Sequence, residues 1–466
     1  MHQKEETIAA IATPLGEGGI GIVRVSGPKA EGILRAVFSP KKPLSRPVSH
    51  HLYLGEVKDP NSQAPLDHAM ACLMKAPRSY TGEDVVELSC HGGPGVMRRV
   101  LDAVVRAGAR HAAPGEFTKR AFLNGRLDLT QAEAVLDLVR SRTERSHAQA
   151  LALLTGSLSE KIMEMKDALL QVLAGIEASI DFPEEDVGTP SSAEQMARVE
   201  SIALEMGALL RTYEEGKVCR EGALAAFVGR PNVGKSSLLN ALLGEERAIV
   251  TEIPGTTRDY IEELVNIQGY PVRLLDTAGL WMGRDRAEEE GVRRAKEKFG
   301  HADILLLVLD GSEPLHKEDV VAIEETRGRK FVLILNKVDL PLSLDLEKVR
   351  SLVPGREPIM VSAKNGTGLD ALRINIMSGI IEKWERREDG AEPFHGAVIT
   401  RERHRDGLRR ALEAVRRTQD GMRKELSPEL IAVDLQLALE ALSEIVGETT
   451  TEDVLDRIFN EFCVGK

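Results

Sequence analysis

The sequence predicts a multidomain protein made of a small N-terminal α+β domain, an α-helical bundle domain, and an α/β domain inserted into that bundle. Three observations predict this arrangement. Strand-like and helical runs alternate over residues 1–120, and a helical period of about 3.6 dominates residues 121–215 and 380–466. A buried strand that leads into a glycine-bounded loop opens the third region, residues 216–379.

The N-terminal domain, residues 1–120, combines strand-like and helical runs. Strands are predicted over 7–12, 20–25, 69–74 and 85–88, and helices over 28–38 and 95–107. Two segments are rich in glycine: 16–21, which precedes Arg24, and 80–95, which surrounds Glu87. They are either plain turns or a ligand site. A dinucleotide fingerprint is excluded because no helix follows the first glycines before the next strand.

The helical domain is predicted in two parts, residues 121–215 and 380–466. Apolar residues from Leu158 to Ile180 recur on one face of a long helix that ends at Asp181. Ser427 and Pro428 mark the start of a later helix. Helices on both sides of one α/β unit indicate a bundle with an insertion, and two separate bundles are the alternative.

Arginines are frequent at the start of the second helical part. They form either a phosphate-binding stripe or a solvated helix face, because the acids Glu402, Asp406 and Glu413 are interleaved with them. The arginines are Arg401, Arg403, Arg405, Arg409, Arg410, Arg416 and Arg417.

The charge and cysteine content limit the possible functions. The 466-residue chain has a net charge of −12, which excludes a surface that is basic throughout. Its cysteines at 72, 90, 219 and 463 have the spacing of neither a zinc site nor a disulfide framework, so we expect a reducing cytoplasm. Neither an export signal nor a membrane span is apparent. Cys463 is either a small buried hydrophobe or an exposed thiol.

The loop Gly229–Ser236 fits the G-x-x-x-x-G-K-[ST] phosphate loop at every fixed position. It follows a strand-like run and begins a helix, so backbone N–H groups and the helix dipole are expected to hold a phosphate. Lys235 is predicted to reach the β- and γ-phosphates, and the Ser236 hydroxyl to ligate magnesium.

Two later segments have the features of nucleotide switches. Residues 251–259 include Thr257, which is predicted to complete the magnesium shell. In Asp276-Thr277-Ala278-Gly279, the acid is placed to hold magnesium through its water shell and the Gly279 N–H to reach the γ-phosphate.

The strand 331–335 leads into Asn336-Lys337-Val338-Asp339, a guanine-reading motif. The Asp339 carboxylate can accept hydrogen bonds from N1–H and the 2-amino group, which adenine lacks, so GTP is favoured over ATP. These segments predict a Ras-like P-loop GTPase domain with its ligand at the carboxyl ends of the strands. The predicted GTP-binding residues are Asn232, Val233, Gly234, Lys235, Ser236, Ser237, Thr251, Glu252, Ile253, Pro254, Gly255, Thr256, Thr257, Asp276, Thr277, Ala278, Gly279, Asn336, Lys337, Val338, Asp339, Ser362, Ala363 and Lys364.

Two positions depart from a Ras-type enzyme. Leu280 stands where a water-orienting glutamine is expected, and Glu288 in the following acidic cluster is the nearest replacement. Alternatively, Glu288 belongs to the exposed first turn of a helix. Asn232 either stabilises the phosphate-loop turn or ligates a monovalent cation that replaces an arginine finger.

With these residues in view, the whole chain resembles the MnmE (TrmE) family of tRNA modification GTPases. The resemblance rests on the inserted GTPase domain, on the motifs around Arg24, Glu87 and Arg126, and on the terminal Cys463-x-Gly465-Lys466. It implies an N-terminal domain that binds a tetrahydrofolate derivative, either 5-formyl- or 5,10-methylene-tetrahydrofolate, and that mediates homodimerisation. The implied folate contacts are Arg24, Glu87, Arg126 and Lys466, although position 126 is often lysine in relatives.

The resemblance also implies ligands and partners. Asn232, Thr251, Ile253 and Thr256 match potassium ligands, and Ser236 and Thr257 match magnesium ligands. Glu288 matches the water-orienting acid, and Cys463 is the implied thiol of the modification chemistry. The implied partner is MnmG, a FAD- and NADH-using protein with which the family forms a heterotetramer. Together they add carboxymethylaminomethyl or aminomethyl groups to C5 of the wobble uridine, position 34, of certain tRNAs. GTP-driven dimerisation of the GTPase domains is the implied switch.

A regulatory Era-like GTPase acting in ribosome assembly is the alternative function. Such proteins append an RNA-binding domain, and the sequence lacks a KH-type GXXG unit and a strongly basic tail. The tRNA-modifying enzyme is therefore the preferred hypothesis.

Overall fold

The computed structural model describes residues 6–42, 46–181, 192–245, 262–275, 300–381 and 396–466. Strands in these ranges are β1 (Ile8–Ile11), β2 (Gly21–Ser26), β3 (Phe38–Pro40), β4 (Leu52–Lys58), β5 (Pro65–Met74), β6 (Val85–Cys90), β7 (Arg110–His111), β8 (Ala223–Val228), β9 (Glu262–Ile267), β10 (Tyr270–Leu275), β11 (Ile304–Asp310), β12 (Phe331–Asn336) and β13 (Ile359–Met360).

Helices in the same ranges are α1 (Ala30–Val37), α2 (Pro94–Arg106), α3 (Glu116–Leu123), α4 (Leu129–Arg140), α5 (Glu144–Leu154), α6 (Ser157–Asp181), α7 (Ser192–Leu210), α8 (Tyr213–Glu221), α9 (Lys235–Glu245), α10 (Lys317–Glu325), α11 (Leu346–Leu352), α12 (Leu369–Ile380), α13 (Glu402–Arg423), α14 (Pro428–Val446) and α15 (Glu452–Phe459). Contacts divide the chain into two compact units. Unit 1 is Met1–Leu136, Ser159–Thr189 and Glu425–Lys466, and unit 2 is Asp137–Leu158 and Pro190–Lys424.

The N-terminal part of unit 1 is a sheet in the order β3-β4-β5-β6-β2-β1-β7, antiparallel except for the β1–β7 pair. Strand β2 shows how this sheet positions polar groups. Val23 and Val25 are buried in a core that α1 and α2 share with the sheet. Because side chains alternate along a strand, Arg24 lies on the opposite face, where it is directly paired with Glu87 of β6.

A buried polar network holds the second glycine-rich segment of unit 1. Ser26 Oγ donates to Glu83 Oε2 at 2.7 Å, and Arg120 Nη1 donates to the same oxygen at 3.0 Å. Glu116 Oε1 accepts from Arg120 Nη2 at 3.0 Å and from Arg110 Nη2 at 2.6 Å. Buried charges are tolerated when they are paired in this way. The turn before β6 is therefore fixed by α3 and is not a freely exposed loop.

The α/β part of unit 2 is a sheet in the order β13-β12-β11-β8-β10-β9, parallel except for the β9–β10 hairpin. Every residue of β8 and β11 is buried, as expected for strands covered on both faces. Separate apolar clusters fill the two faces of the sheet. This architecture confirms the predicted α/β class, and it brings the loops after β8 and β12 to the same edge of the sheet.

The segments that flank the α/β part meet each other within unit 2. Thr212 Oγ1 accepts from Ile399 N at 3.1 Å, and Arg220 Nε donates to the Thr400 carbonyl at 3.1 Å. Helix α7, from before the α/β part, packs against α13, from after it. The chain thus enters and leaves the α/β part at one place, which is the arrangement of an inserted domain.

Helices from before and after the insertion also meet in unit 1, where Lys166 of α6 forms an ion pair with Glu448 beyond α14. Each unit therefore contains helices from both sides of the insertion, and the choice between one bundle and two stays a prediction. The predicted multidomain class is confirmed. The exact domain boundaries, 1–120, 121–215, 216–379 and 380–466, stay a prediction.

Most predicted elements are present, and several others were not predicted. The long helix ends at Asp181 as predicted, but β3, β4 and α8 were missed. Helix α8 buries only Tyr213, Gly216 and Cys219, so its apolar period is too weak to recognise. Within the described ranges, no helix is long and apolar enough to span a membrane.

Candidate functional site

The phosphate loop of unit 2 lies between β8 and α9. Its backbone has positive φ at Asn232 (64°) and Gly234 (96°), and left-handed residues in such turns form concavities that bind anions. The buried Lys235 side chain donates to the carbonyls of Gly229 at 2.6 Å and Arg230 at 2.9 Å. Ser236 and Ser237 are exposed in the first turn of α9. The loop therefore has the shape and donors that a phosphate requires.

Asn336 joins the phosphate loop to the base-reading loops. Its Nδ2 donates to the Val233 carbonyl at 2.8 Å, and its Oδ1 accepts from the Ala363 backbone N–H at 3.2 Å. Gly234 permits this approach, because a Cβ at that position would overlap Asn336 Nδ2. One buried amide thus fixes the relative position of the loops that follow β8, β12 and β13.

Asp339 is held for base recognition by Ser362. The buried Ser362 donates its hydroxyl to Asp339 Oδ1 at 2.7 Å, and this hydrogen bond lowers the pKa of the Asp339 carboxyl. The exposed Lys364 adds a smaller effect in the same direction. Val338 N–H donates to the Val361 carbonyl at 3.3 Å, which ties the two base-reading segments together. The exposed carboxylate is therefore ionised and able to accept the paired N–H groups of guanine.

A second polar site lies in unit 1 around Arg24. Arg24 Nε donates to Glu87 Oε1 at 2.8 Å, and the guanidinium carbon is 5.5 Å from the Tyr80 ring centroid and 5.7 Å from that of Phe117. A carboxylate and two aromatic faces thus fix the arginine in one position.

The C-terminal tail reaches the same site. Arg24 Nη1 lies 3.4 Å from the Gly465 carbonyl oxygen. Gly465 has φ +99°, and a Cβ there would overlap the Ile11 carbonyl of β1, so only glycine allows the tail to lie against this strand. Burial and the Arg24 charge lower the pKa of Lys466, while the smaller effects of Cys463 and Glu87 oppose them. Arg24 and Glu87 are therefore in contact, and Lys466 lies close enough for both charges to affect its pKa, while their role as folate contacts stays a prediction.

The structure places Arg126 beside the same loop region. A Cβ on Gly82 would lie 3.4 Å from Arg126 Cγ, and Asn124 Nδ2 donates to the Thr81 carbonyl at 2.7 Å. Arg126 itself is exposed. We call Arg24, Glu87, Arg126 and Lys466 the candidate polar site of unit 1; it carries three cations and one acid, a balance suited to an anionic ligand.

Comparisons with known proteins match nearly the whole chain. Residues 129–463 match the family described as the MnmE helical domain, and residues 7–126 match the GTP-binding protein TrmE N-terminus. The tRNA modification GTPase MnmE of Syntrophus aciditrophicus is 47% identical over 462 residues, which cover 99% of this chain and 100% of that protein. The proteins of the same description from Heliobacterium modesticaldum and Geobacter sulfurreducens are 47% and 46% identical, each covering 99% of both chains.

The chain belongs to the MnmE family of tRNA modification GTPases.

As an MnmE-family protein, the chain is a GTP hydrolase of tRNA modification, and the predicted enzyme class is confirmed. Among solved structures, the G domain of the Thermotoga maritima FeoB iron transporter is 26% identical over 34% of this chain and 98% of its own, with a TM-score of 0.26.

Several predicted site residues lie outside the described residues, so their roles stay predictions. They comprise the segment predicted to close on potassium, the segment 276–279 after β10, and the acid predicted to orient the attacking water. These residues are Thr251, Glu252, Ile253, Pro254, Gly255, Thr256, Thr257, Asp276, Thr277, Ala278, Gly279 and Glu288.

The structure distinguishes between the alternatives for the arginine-rich helix and between those for Cys463. On α13, Arg405 is paired with Asp406 at 3.2 Å and lies 4.7 Å from the Tyr213 ring centroid, while Arg409 lies 3.6 Å from the same acid. Acids therefore neutralise much of this helix, which favours a solvated, ion-paired face. Cys463 is exposed, so the exposed-thiol alternative is correct.

Two polar pairs near the phosphate loop were not predicted from the sequence. Arg230 Nη2 lies 2.6 Å from Glu313 Oε2, which ties the loop to the segment before α10. Lys337 Nζ lies 2.6 Å from the buried Asp310 Oδ2 at the end of β11. The only sequence signal for the second pair is a single acid at the end of an apolar strand, followed by Gly311 and Ser312.

Proposed function

We propose that this chain is a potassium-dependent GTPase that modifies C5 of the wobble uridine, position 34, of certain tRNAs together with an MnmG-type FAD- and NADH-using partner. The products are carboxymethylaminomethyl- or aminomethyl-uridine. The observation that carries this proposal is the 47% identity with an MnmE protein over nearly the whole of both chains, combined with the nucleotide loops and the Arg24–Glu87 pair described above.

The GTPase half of the proposal rests on the phosphate and base-reading loops. Lys235 already lies inside the phosphate loop, and Asn336 holds that loop in register with Asp339. Asp339, ionised by its hydrogen bond to Ser362, accepts the guanine N–H pair. Water then attacks the γ-phosphoryl group, which leaves GDP and inorganic phosphate.

The metals of the proposal have ligands of the right chemistry. Ser236 is an exposed residue in the first turn of α9, and its hydroxyl is a hard oxygen ligand of the kind magnesium prefers; Thr257 is its proposed partner ligand. Asn232 is exposed at the apex of the phosphate loop, and we assign potassium to it together with Thr251, Ile253 and Thr256. When bound, the cation supplies the positive charge that an arginine finger provides elsewhere. Glu288 is the proposed acid that orients the water.

The one-carbon half of the proposal rests on the candidate polar site of unit 1. Its cations suit the carboxylates of a 5-formyl- or 5,10-methylene-tetrahydrofolate, and the carboxylate of Glu87 can accept N–H groups of the ligand's ring. When bound, this cofactor supplies the one-carbon unit. Arg24 and Lys466 hold the ligand, and the neighbouring exposed Cys463 is the proposed thiol of the modification chemistry. The N-terminal domain is also the proposed homodimer contact.

Mass analysis of tRNA nucleosides from cells lacking this gene tests the proposal. Complementation with the wild-type chain should restore the modified wobble uridine, whereas Asp339→Asn and Cys463→Ser should not. The purified Cys463→Ser protein should hydrolyse GTP at the wild-type rate, because Cys463 lies in unit 1 and the nucleotide loops lie in unit 2. Val464→Ala, which changes an exposed neighbour, is the matched control and should restore the modification. Unchanged wobble uridine in the deletion strain would refute the proposal.

A further inference from the structure

Asp310 is a buried acid at the carboxyl end of β11, next to the guanine-reading loop. Its side chain is 1% exposed, and its Oδ2 lies 2.6 Å from Lys337 Nζ. The other carboxylate oxygen, Oδ1, accepts from the Ser312 backbone N–H at 2.9 Å and from the Ser312 hydroxyl at 2.6 Å. Both oxygens therefore have fixed partners, and the carboxylate has one orientation.

Lys337 needs a partner because of its backbone. It lies between Asn336 and Asp339 with φ +64°, a left-handed conformation that is costly for any residue with a Cβ. Asn and Asp can offset this cost, because their short polar side chains form local hydrogen bonds in the left-handed conformation. The lysine side chain forms no such bond. An ion pair with a buried carboxylate that cannot move compensates for this cost.

The same kink determines where Asp339 points. Asn336 is fixed on one side by Val233 and Ala363, and Asp339 is fixed on the other by Ser362. Lys337 forms the bend between these two anchors. A change in its backbone therefore changes the distance between the amide that joins the loops and the carboxylate that reads the base.

Charge considerations agree with this geometry. Burial alone would raise the pKa of Asp310, but the ion pair with Lys337 and the hydrogen bonds from Ser312 outweigh it and lower the pKa. Asp310 is thus ionised at neutral pH, and Lys337 is the cation that balances it.

We propose that Asp310 is a positioning residue for guanine nucleotides, which acts by holding Lys337 in the left-handed turn that aims Asp339 at the base. It does not touch the nucleotide itself. The inference rests on the GTP hydrolase activity of the family and is independent of the modification chemistry proposed above.

Asp310→Asn tests the inference, because it removes the charge and keeps the shape of the side chain. We expect GDP and GTP to bind about tenfold more weakly, the usual effect of losing a hydrogen bond to a charged group. The kcat at saturating GTP should stay within about twofold, because the phosphate loop is untouched. The ratio of the affinity for GTP to the affinity for ATP should fall. Fluorescent GDP titration and steady-state kinetics measure these quantities.

A double-mutant cycle tests whether Asp310 affects GDP binding through Lys337 or only through the stability of the fold. Glycine adopts positive φ without cost, so Lys337→Gly removes the need for a partner. Adding Asp310→Asn to Lys337→Gly should weaken GDP binding no further. If the fold-losses in GDP affinity of the two single variants multiply in the double variant, Asp310 acts independently of Lys337 and the inference is wrong.

Asp303→Asn is the matched control at the other end of the same strand. Asp303 Oδ2 accepts from Leu224 N at 2.7 Å, so this variant should lower stability without changing GDP affinity. Equal affinity losses in Asp303→Asn and Asp310→Asn would overturn the inference, as would an unchanged affinity in Asp310→Asn. If Asp310→Asn does not fold, Ser312→Ala serves instead. It should weaken GDP binding about threefold, and unchanged binding would again overturn the inference.

Discussion

Asn336 Nδ2 and the Val233 carbonyl oxygen are 2.8 Å apart, so the loop that reads the base is hydrogen-bonded directly to the loop that holds the phosphates. A buried hydrogen bond of this kind fixes the spacing of the two loops before any ligand arrives. Nucleotide affinity therefore depends on residues that fit around this amide as well as on those that touch the ligand.

Gly234→Ala should abolish tight nucleotide binding. The new Cβ would overlap Asn336 Nδ2, and alanine disfavours φ +96°, so we expect a loss of at least about 2 kcal/mol in GDP binding free energy. Fluorescent GDP titration measures it. Gly244→Ala is the control, since nothing lies within 4 Å of its Cβ in α9, and this variant should bind GDP normally and be slightly more stable. Similar affinities for the two variants would contradict the prediction.

Gly465→Ala should release the C-terminal tail from β1. Its Cβ would overlap the Ile11 carbonyl, so the tail must move and the Gly465 carbonyl must leave Arg24. We expect 5-formyltetrahydrofolate to bind at least about tenfold more weakly in equilibrium dialysis, with GTP hydrolysis unchanged. Val464→Ala, at an exposed position of the same tail, should retain folate binding. Wild-type folate affinity in Gly465→Ala would show that the tail does not contribute to the site.

Glu116 should make stability depend on pH below neutrality. Burial alone would raise its pKa, but hydrogen bonds from Arg110, the Ala113 N–H and Arg120 lower it from 4.5 to about 2. A lowered carboxyl pKa gives stability that is fully present above pH 4.5 and is lost as the pH falls towards 2.

Glu116→Gln should therefore lower the free energy of unfolding by at most about 3 kcal/mol at pH 7 and by progressively less between pH 4.5 and 2. Urea unfolding at several pH values, with hydrogen exchange of the α3 amides as a local readout, measures the difference. Glu17→Gln, at an exposed position, is the control and should have little effect. An equal loss at pH 7 and pH 3 would mean that the charge of Glu116 is irrelevant.

GTP hydrolysis should be at least about tenfold faster in KCl than in NaCl at equal ionic strength. The reason is the exposed Asn232 in the phosphate loop, which we assign to potassium in place of an arginine finger. Steady-state phosphate release measures the rates. Asn232→Ala should remove the difference, while Asn240→Ala in α9 should keep it. Equal rates in the two salts would rule out the cation assignment.

Much of the fold was predictable because local signals agreed with the tertiary structure. The buried run of β8, the phosphate loop and α9 follow one another as strand, turn and helix, and each is encoded locally. Strand β4 was missed because its hydrophobicity does not follow its burial: Leu52 and Leu54 lie on the exposed face, and Gly55 lies on the buried face.

The candidate sites were only partly predictable, for a different reason. Arg24 and Glu87 could be singled out from their motifs, but their pairing depends on the register between β2 and β6. The partners of Lys337 and Gly465 lie far away in sequence, on β11 and β1. A periodic pattern carries no information about such contacts, because it reports the environment of one segment and not the identity of its neighbour.

By itself the sequence determined the chemistry: a phosphate loop, a guanine reader, a cysteine near the C-terminus and the alternation of strands and helices that makes an α/β domain. Only the tertiary structure decided which groups act together. It joined Asn336 to the phosphate loop, Asp310 to Lys337 and the C-terminal tail to Arg24. The physical reason is that short-range propensities act within a few residues, whereas hydrogen bonds and ion pairs across the fold form only after strand register and packing are fixed.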